Sequence, residues 1–211
     1  MLGLPKVTEL HKQLPKKAIY AKFQMNTAAK EKIDADISKI IIVNEVSPAK
    51  IHIPEGQRVK TFFVVQAILK KKDFAESTIA TLSKLIEQNM LFILECGDEH
   101  KLAIYHTRLM QTSWQPKNSF ELPLKGLTLD AVWENIVVQV GGVEIESGNT
   151  LDEQIAADDR RQRLQKEIDR LEKQARTEKQ PNKKFELASK AKAMKKHLSE
   201  LENQKKGWNS L

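Results

Sequence analysis

Between Leu164 and Leu201 the apolar residues keep a helical beat. Leu164, Ile168, Leu171 and Ala175 are spaced by four, three and four. Beyond Pro181, Leu187, Ala191, Met194, Leu198 and Leu201 are spaced by four, three, four and three. Each set forms a narrow stripe along one side of a helix, the spacing of a coiled-coil seam. A stripe that narrow can be buried only by a matching one, and the two are separated by a short polar turn around Pro181. The pattern predicts a C-terminal antiparallel helical hairpin of coiled-coil type. Its first helix, from about Thr150 to Thr177, would be ~40 Å long at 1.5 Å per residue. Small residues at Ala175 and Ala191 suit a close approach of the two helices.

The composition changes where this pattern begins. After "VEIESGNT" the chain nearly loses β-branched and aromatic residues and becomes rich in Lys, Glu, Gln, Arg and Ala. This divides the 211 residues into an α+β body (1–149), a basic hairpin arm (150–206) and a short tail (207–211). Charge divides the same way. The net +7 comes from residues 160–211, with 16 Lys/Arg against 7 Asp/Glu; residues 1–159 hold 19 against 21. A basic segment of this kind favours a polyanion or an acidic protein face. A solvated hairpin whose lysines serve solubility has the same composition. Arg160, Arg161, Arg163, Lys183, Lys184, Lys195 and Lys196 are the candidates for polyanion contact, neutralising phosphates without reading bases.

In the body, Pro5 and Pro15 bracket "VTELHKQL", which predicts two helical turns starting near Thr8. Asn26 or Thr27 is expected to cap a helix carrying Ala29, Ile33, Ile37, Ile40 and Ile41 on one face, broken before Pro48. "KIHIP" alternates like a short strand, and "PEGQ" is a turn. "RVKTFFVVQAILKK" is the strongest strand, with the near-continuous apolar run of one buried on both faces. Asp73 and Glu76 suggest a capping box for a helix burying Ile79, Leu82 and Ile86. "MLFILE" and "KLAIYHTRLM" read as a hairpin across "CGDEH". "TSWQPKNSFELPL" adds a third antiparallel strand that Pro116 confines to an edge or a bulge. Thr128 caps a last helix presenting Leu129, Val132, Trp133, Ile136 and Val140, which stops at Gly141-Gly142. The body is therefore α+β, an antiparallel or mixed sheet with helices mainly on one face.

Chemistry is harder to find. No Walker loop, GxGxxG or GxSxG is present, and no cofactor or metal site is predicted. His11, His52, His100, His106 and His197 are scattered without metal-ligand spacing. Cys96 has no sequence-near activator. A restriction-type nuclease needs an acid on one strand, then an acid and a lysine two residues apart on the next. "FFVVQAILK" offers Lys70, but Ile68 stands where the acid is required. A divergent metal-dependent nuclease drawing on Glu55, Glu95 and Asp98 with Lys70 is the alternative to a non-enzymatic role. Of the tryptophans, Trp133 is core and Trp114 half-buried. Trp208 is either a stacking or anchoring residue or part of a disordered tail. One cysteine and no signal-like apolar stretch after Met1 suggest a reduced, cytoplasmic protein. The longest apolar run, Thr61 to Leu69, is far short of the ~20 residues that span a bilayer.

The segments "LGLPKVTELHKQLPKKAIYAKF", "VKTFFVVQAILKK", "LFILECGDEHKLAIYHTR", "LTLDAVWENIVVQV" and "EKQPNKKFELASKAKAMKKHLSEL" occur in this order. Together they resemble the bacterial and archaeal family called domain of unknown function 4391, over most of the chain. The resemblance implies a genomic setting near helicases and DNA methyltransferases of restriction-like defence loci, and carries no catalytic residues with it. The expectation is an accessory protein of a DNA-processing or phage-defence assembly, with a helicase or DNA methyltransferase partner and non-specific nucleic-acid contact through the arm.

Overall fold

The computed structural model describes residues 2–208 apart from position 118, with side chains described through Leu201. The chain divides into two compact units, residues 1–143 and 144–211.

The first unit is a mixed sheet with helices. Its strands are β1 (Glu9–Gln13), β2 (Ile37–Val46), β3 (Phe62–Leu69), β4 (Asn89–Cys96), β5 (Glu99–Tyr105), β6 (Leu109–Gln111) and β7 (Gln115–Pro116). They are ordered β1-β2-β3-β4-β5-β6, with β7 pairing with β5. β3 and β4 run parallel and the other pairs antiparallel. A parallel pair needs a crossover, and α4 (Glu76–Leu85) supplies it.

Alternation along the strands sorts the core onto two faces. Val65, Ala67, Leu69, Phe92, Leu94 and Ala103 pack with Ile19 of α1 (Lys16–Lys22), Ile33 of α2 (Thr27–Asp36), and Ile79 and Leu82 of α4. The intervening residues Phe62, Val64, Leu91, Ile93, Leu102 and Ile104 are also buried. On their side lies α5 (Leu129–Gly141), whose Trp133 ring is 5.4 Å from that of Phe62. Three helices thus cover one face and one the other. The expected caps at Asn26 and Thr128 are present, accepting from the N–H groups of Ala29 and Ala131. β4 and β5 form the expected hairpin across Gly97-Asp98. Pro116 sits, as anticipated, in an edge strand.

Five local expectations are corrected. "VTELHKQL" is a 3-10 turn (Lys6–Thr8) followed by β1, because β2 offers it an antiparallel partner and Asn44 Nδ2 donates to the buried Thr8 Oγ1 at 2.8 Å. The α2 helix stops at Asp36, and Ile37, Ile40 and Ile41 belong to β2. Bulges at Ile37/Lys39 and Ile42/Asn44 shift the register, so every third residue of this strand is buried. A doubly bulged strand thereby imitates the spacing of a helix. "KIHIP" is no strand: Pro48–Ile51 is one helical turn, α3, closed by His52 in the left-handed region. The α4 helix has no Asp73 capping box. Its cap comes from Asp36, whose Oδ2 accepts from Ala75 N at 3.0 Å and Thr78 Oγ1 at 2.7 Å. "KLAIYHTRLM" is also broken at His106–Arg108, which lets β6 fold back on β5.

A second acid organises the other end of the body. Asp130, in the first turn of α5, accepts backbone N–H groups from Gln57, Arg58 and Val59. Burial pushes its carboxyl up, but these three donors hold it below its ordinary range. Gly56 is needed for that approach, since a Cβ there would lie 2.1 Å from Asp130 Oδ1.

The second unit is a helical hairpin, as the apolar spacing predicts. Thr150 and Glu153 form a capping box at the start of α6 (Leu151–Thr177). Glu178–Gln180 turn the chain into α7 (Pro181–Trp208). Ile168, Leu171 and Ala175 are buried along the seam with Ala191, whereas Leu164, Leu187, Met194 and Leu198 are half-buried. Lys195 Nζ reaches across to Glu172 Oε1 at 2.5 Å. No helix among the described residues is long and apolar enough to cross a membrane.

Candidate polyanion-binding surface

The positive charge of the hairpin is not shared between its helices. α6 carries seven basic and seven acidic residues and balances itself; α7 carries eight Lys against three Glu. The seam explains how this is tolerated. The seam of α7 is apolar and its other faces meet water, where a lysine costs little desolvation. Lysines also begin the helix, at Lys183 and Lys184, and no acid occupies its first turn. Cations are disfavoured there by the helix dipole, so neither residue is placed to stabilise α7.

The seven candidate contact residues fall into two groups. Arg161 is enclosed by acids: its guanidinium donates to Glu146 Oε1 at 2.9 Å and Asp158 Oδ1 at 3.0 Å. These bonds, with Glu146 first, raise its pKa further. Only 20% of its side chain is exposed. It ties the start of the unit to α6. Lys195 is bound to Glu172, whose carboxyl it holds below the usual range. Lys196 is 3.9 Å from Glu200, a loose exposed pair worth little. Arg160, Arg163 and Lys184 are exposed and have no side-chain hydrogen bond or ion pair among the described residues. Lys183 is exposed too, and its charge lowers the pKa of nearby Glu178, chiefly the work of the Gln180 N–H. Arg160 and Arg163 border one shallow groove with Leu164, Glu167 and Met194.

The sequence reading left out Lys190 and Lys192, which are equally exposed and equally without partners among the described residues. Phe185 was also passed over and is 75% exposed. The signal for Phe185 and Lys192 lies opposite the seam, whereas Lys190 flanks it. Phe185, Ser189, Lys192 and Lys196 are themselves spaced by four, three and four. The side chain of Trp208 lies outside the described residues.

Elsewhere the polar groups serve the fold. Lys70 Nζ donates to the backbone carbonyl of Asp34 at 2.5 Å. Glu55 pairs with Lys60 at 3.1 Å. Glu95 accepts from Gln66 at 2.7 Å and pairs with Lys117 at 2.9 Å. Asp98 is in the β4–β5 turn. No group of three or more His, Cys, Asp or Glu residues that could hold a metal ion occurs among the described residues. Cys96 is a free, half-buried thiol. His100, on β5, is 1% exposed and stacks on Phe120 at 5.0 Å. Burial lowers its pKa, a shift that the Glu95 carboxylate opposes.

Comparison with curated proteins found no match, and comparison with solved structures found none either. The sequence profile of one family, described as "Domain of unknown function (DUF4391)", matches residues 2–198, which take in the whole body and the hairpin as far as Leu198. The chain belongs to this family.

Proposed function

We propose that this protein is a non-enzymatic accessory component of a DNA-processing or phage-defence assembly, working in the cytoplasm, and that helix α7 lies along a nucleic-acid backbone. One observation carries the reading: Lys184, Lys190 and Lys192 are exposed on a helix of strong positive balance and serve neither its seam nor its caps. Lysines held in this way neutralise phosphates without selecting bases. A helicase or DNA methyltransferase is the partner class that the reading assigns to the body.

Fluorescence anisotropy with a labelled duplex, at several salt concentrations, tests the nucleic-acid contact. Affinity should fall steeply with salt, and Lys184→Glu/Lys190→Glu/Lys192→Glu should weaken it by roughly tenfold or more while flattening the salt slope. Absence of binding at low salt, binding indifferent to salt, or full competition by polyglutamate would each defeat the reading. Capture from the native host followed by mass spectrometry tests the partner.

A further inference from the structure

Four half-buried rings of the body have a lysine over them. Lys22 sits 5.5 Å over Phe23, Lys84 5.2 Å over Tyr105, and Lys101 4.8 Å over Phe74 and 5.1 Å over Trp114. An ammonium over a ring satisfies the negative π-face and shields it from water. Phe185 has no such neighbour and is far more open than those rings. It follows directly on Lys183 and Lys184 in sequence, yet it makes no cation or ring contact among the described residues and stays 75% exposed. It does not serve the helix either, since phenylalanine is a poorer helix former than alanine. Nor does it serve the seam, because it faces away from Leu187 and Ala191.

The ring heads a row. Phe185, Ser189, Lys192 and Lys196 succeed one another along the solvent side of α7. Lys192 lies about 10 Å and Lys196 about 16 Å from Phe185 along the helix axis. An open aromatic face followed by cations is the arrangement that holds a single strand, with a base on the ring and phosphates on the ammonium groups. A duplex cannot use the ring, because its bases are already stacked on each other. We infer that α7 binds single-stranded nucleic acid in preference to duplex, with Phe185 as the stacking residue. This inference rests on the proposed polyanion contact and specifies its ligand.

The test uses the full chain, a labelled oligothymidylate, and a duplex of the same length. The wild type should bind the single strand more tightly. Phe185→Ala should weaken single-strand binding by roughly tenfold, leaving duplex affinity, the salt slope and the circular dichroism spectrum unchanged. Phe185→Trp should retain or strengthen the preference. Lys192→Gln/Lys196→Gln should weaken both ligands together. Equal affinity for the two ligands, or an unaltered Phe185→Ala, overturns the stacking inference while leaving the charge-based contact in place. A Phe185→Ala protein weakened equally toward both ligands also overturns it. If neither ligand binds at low salt, the polyanion reading fails first and takes this inference with it.

Discussion

In the body, acids stand where backbone N–H groups would otherwise be orphaned: Asp36 at the start of α4, and Asp130 under residues 57–59. Several body lysines meet partners, as in Lys50 with Glu45 and Lys117 with Glu95, although Lys12, Lys17 and Lys39 are exposed without one among the described residues. Along α7 the bookkeeping differs. Lys184, Lys190 and Lys192 have no such partners among the described residues, and apolar contact is confined to one stripe. The carboxylates of Asp36 and Asp130 are consumed by folding, whereas much of the charge on α7 is left over. Surplus charge contributes little to stability and a great deal to the field outside the molecule. In the proposed reading, that field is what meets the nucleic acid.

The sharpest way to break this contrast is to remove a charge from each side. Asp36→Ala should cost about 3 kcal/mol, because the Ala75 N–H and Thr78 hydroxyl lose a buried, charged acceptor. Urea unfolding measures it, and a loss below about 1 kcal/mol would mean that α4 does not depend on this cap. Asp130→Ala should cost about 1–2 kcal/mol, since its three donors are nearer to water and can be partly resolvated. Gly56→Ala should do comparable harm through its clash with the same carboxylate. Lys190→Ala/Lys192→Ala should move stability by no more than about 0.5 kcal/mol, yet weaken duplex binding measurably. A large loss of stability there would mean that these lysines hold the arm together.

The smallest effect concerns pH. Burial depresses the pKa of His100 in the folded state below its ordinary 6.5, so the unfolded chain binds its proton first. The stability contributed by neutral His100 is complete above pH 6.5 and declines as the pH falls below that value toward the folded-state pKa. Urea midpoints for the wild type should fall between pH 7 and pH 5, and His100→Gln should show a shallower decline. Parallel profiles would show that the ring is not held neutral by its surroundings.

How legible these features were depended on whether their partners lay nearby in the chain. The Thr128 cap, the Gly97-Asp98 hairpin and the face of α5 needed only residues within a few positions, and each was visible. β2 was misleading because its two bulges turned an alternating pattern into a three-residue beat, and bulges arise from pairing with β3 rather than from composition. Asp73 looked like the cap of α4, but Asp36, almost forty positions earlier, took that role. Of the seven arm residues chosen from charge alone, Arg161 and Lys195 proved to be engaged with acids. Phe185 stands off the apolar seam, so heptad spacing gives it no role, and only its 75% exposure singles it out.

The sequence by itself determined the hairpin, its turn, the caps at Asn26 and Thr128, the central strand and the position of the net charge. Each follows from periodicity or short-range hydrogen bonding, which are properties of neighbouring residues. Only the tertiary structure decided the course of β1 and β2, the acid that caps α4, the nest closed on Asp130, and which lysines remained unpaired. These depend on contacts between segments far apart in the chain. Such contacts form when burial and backbone pairing outweigh local preference, as they do for the residues of β2 against β3.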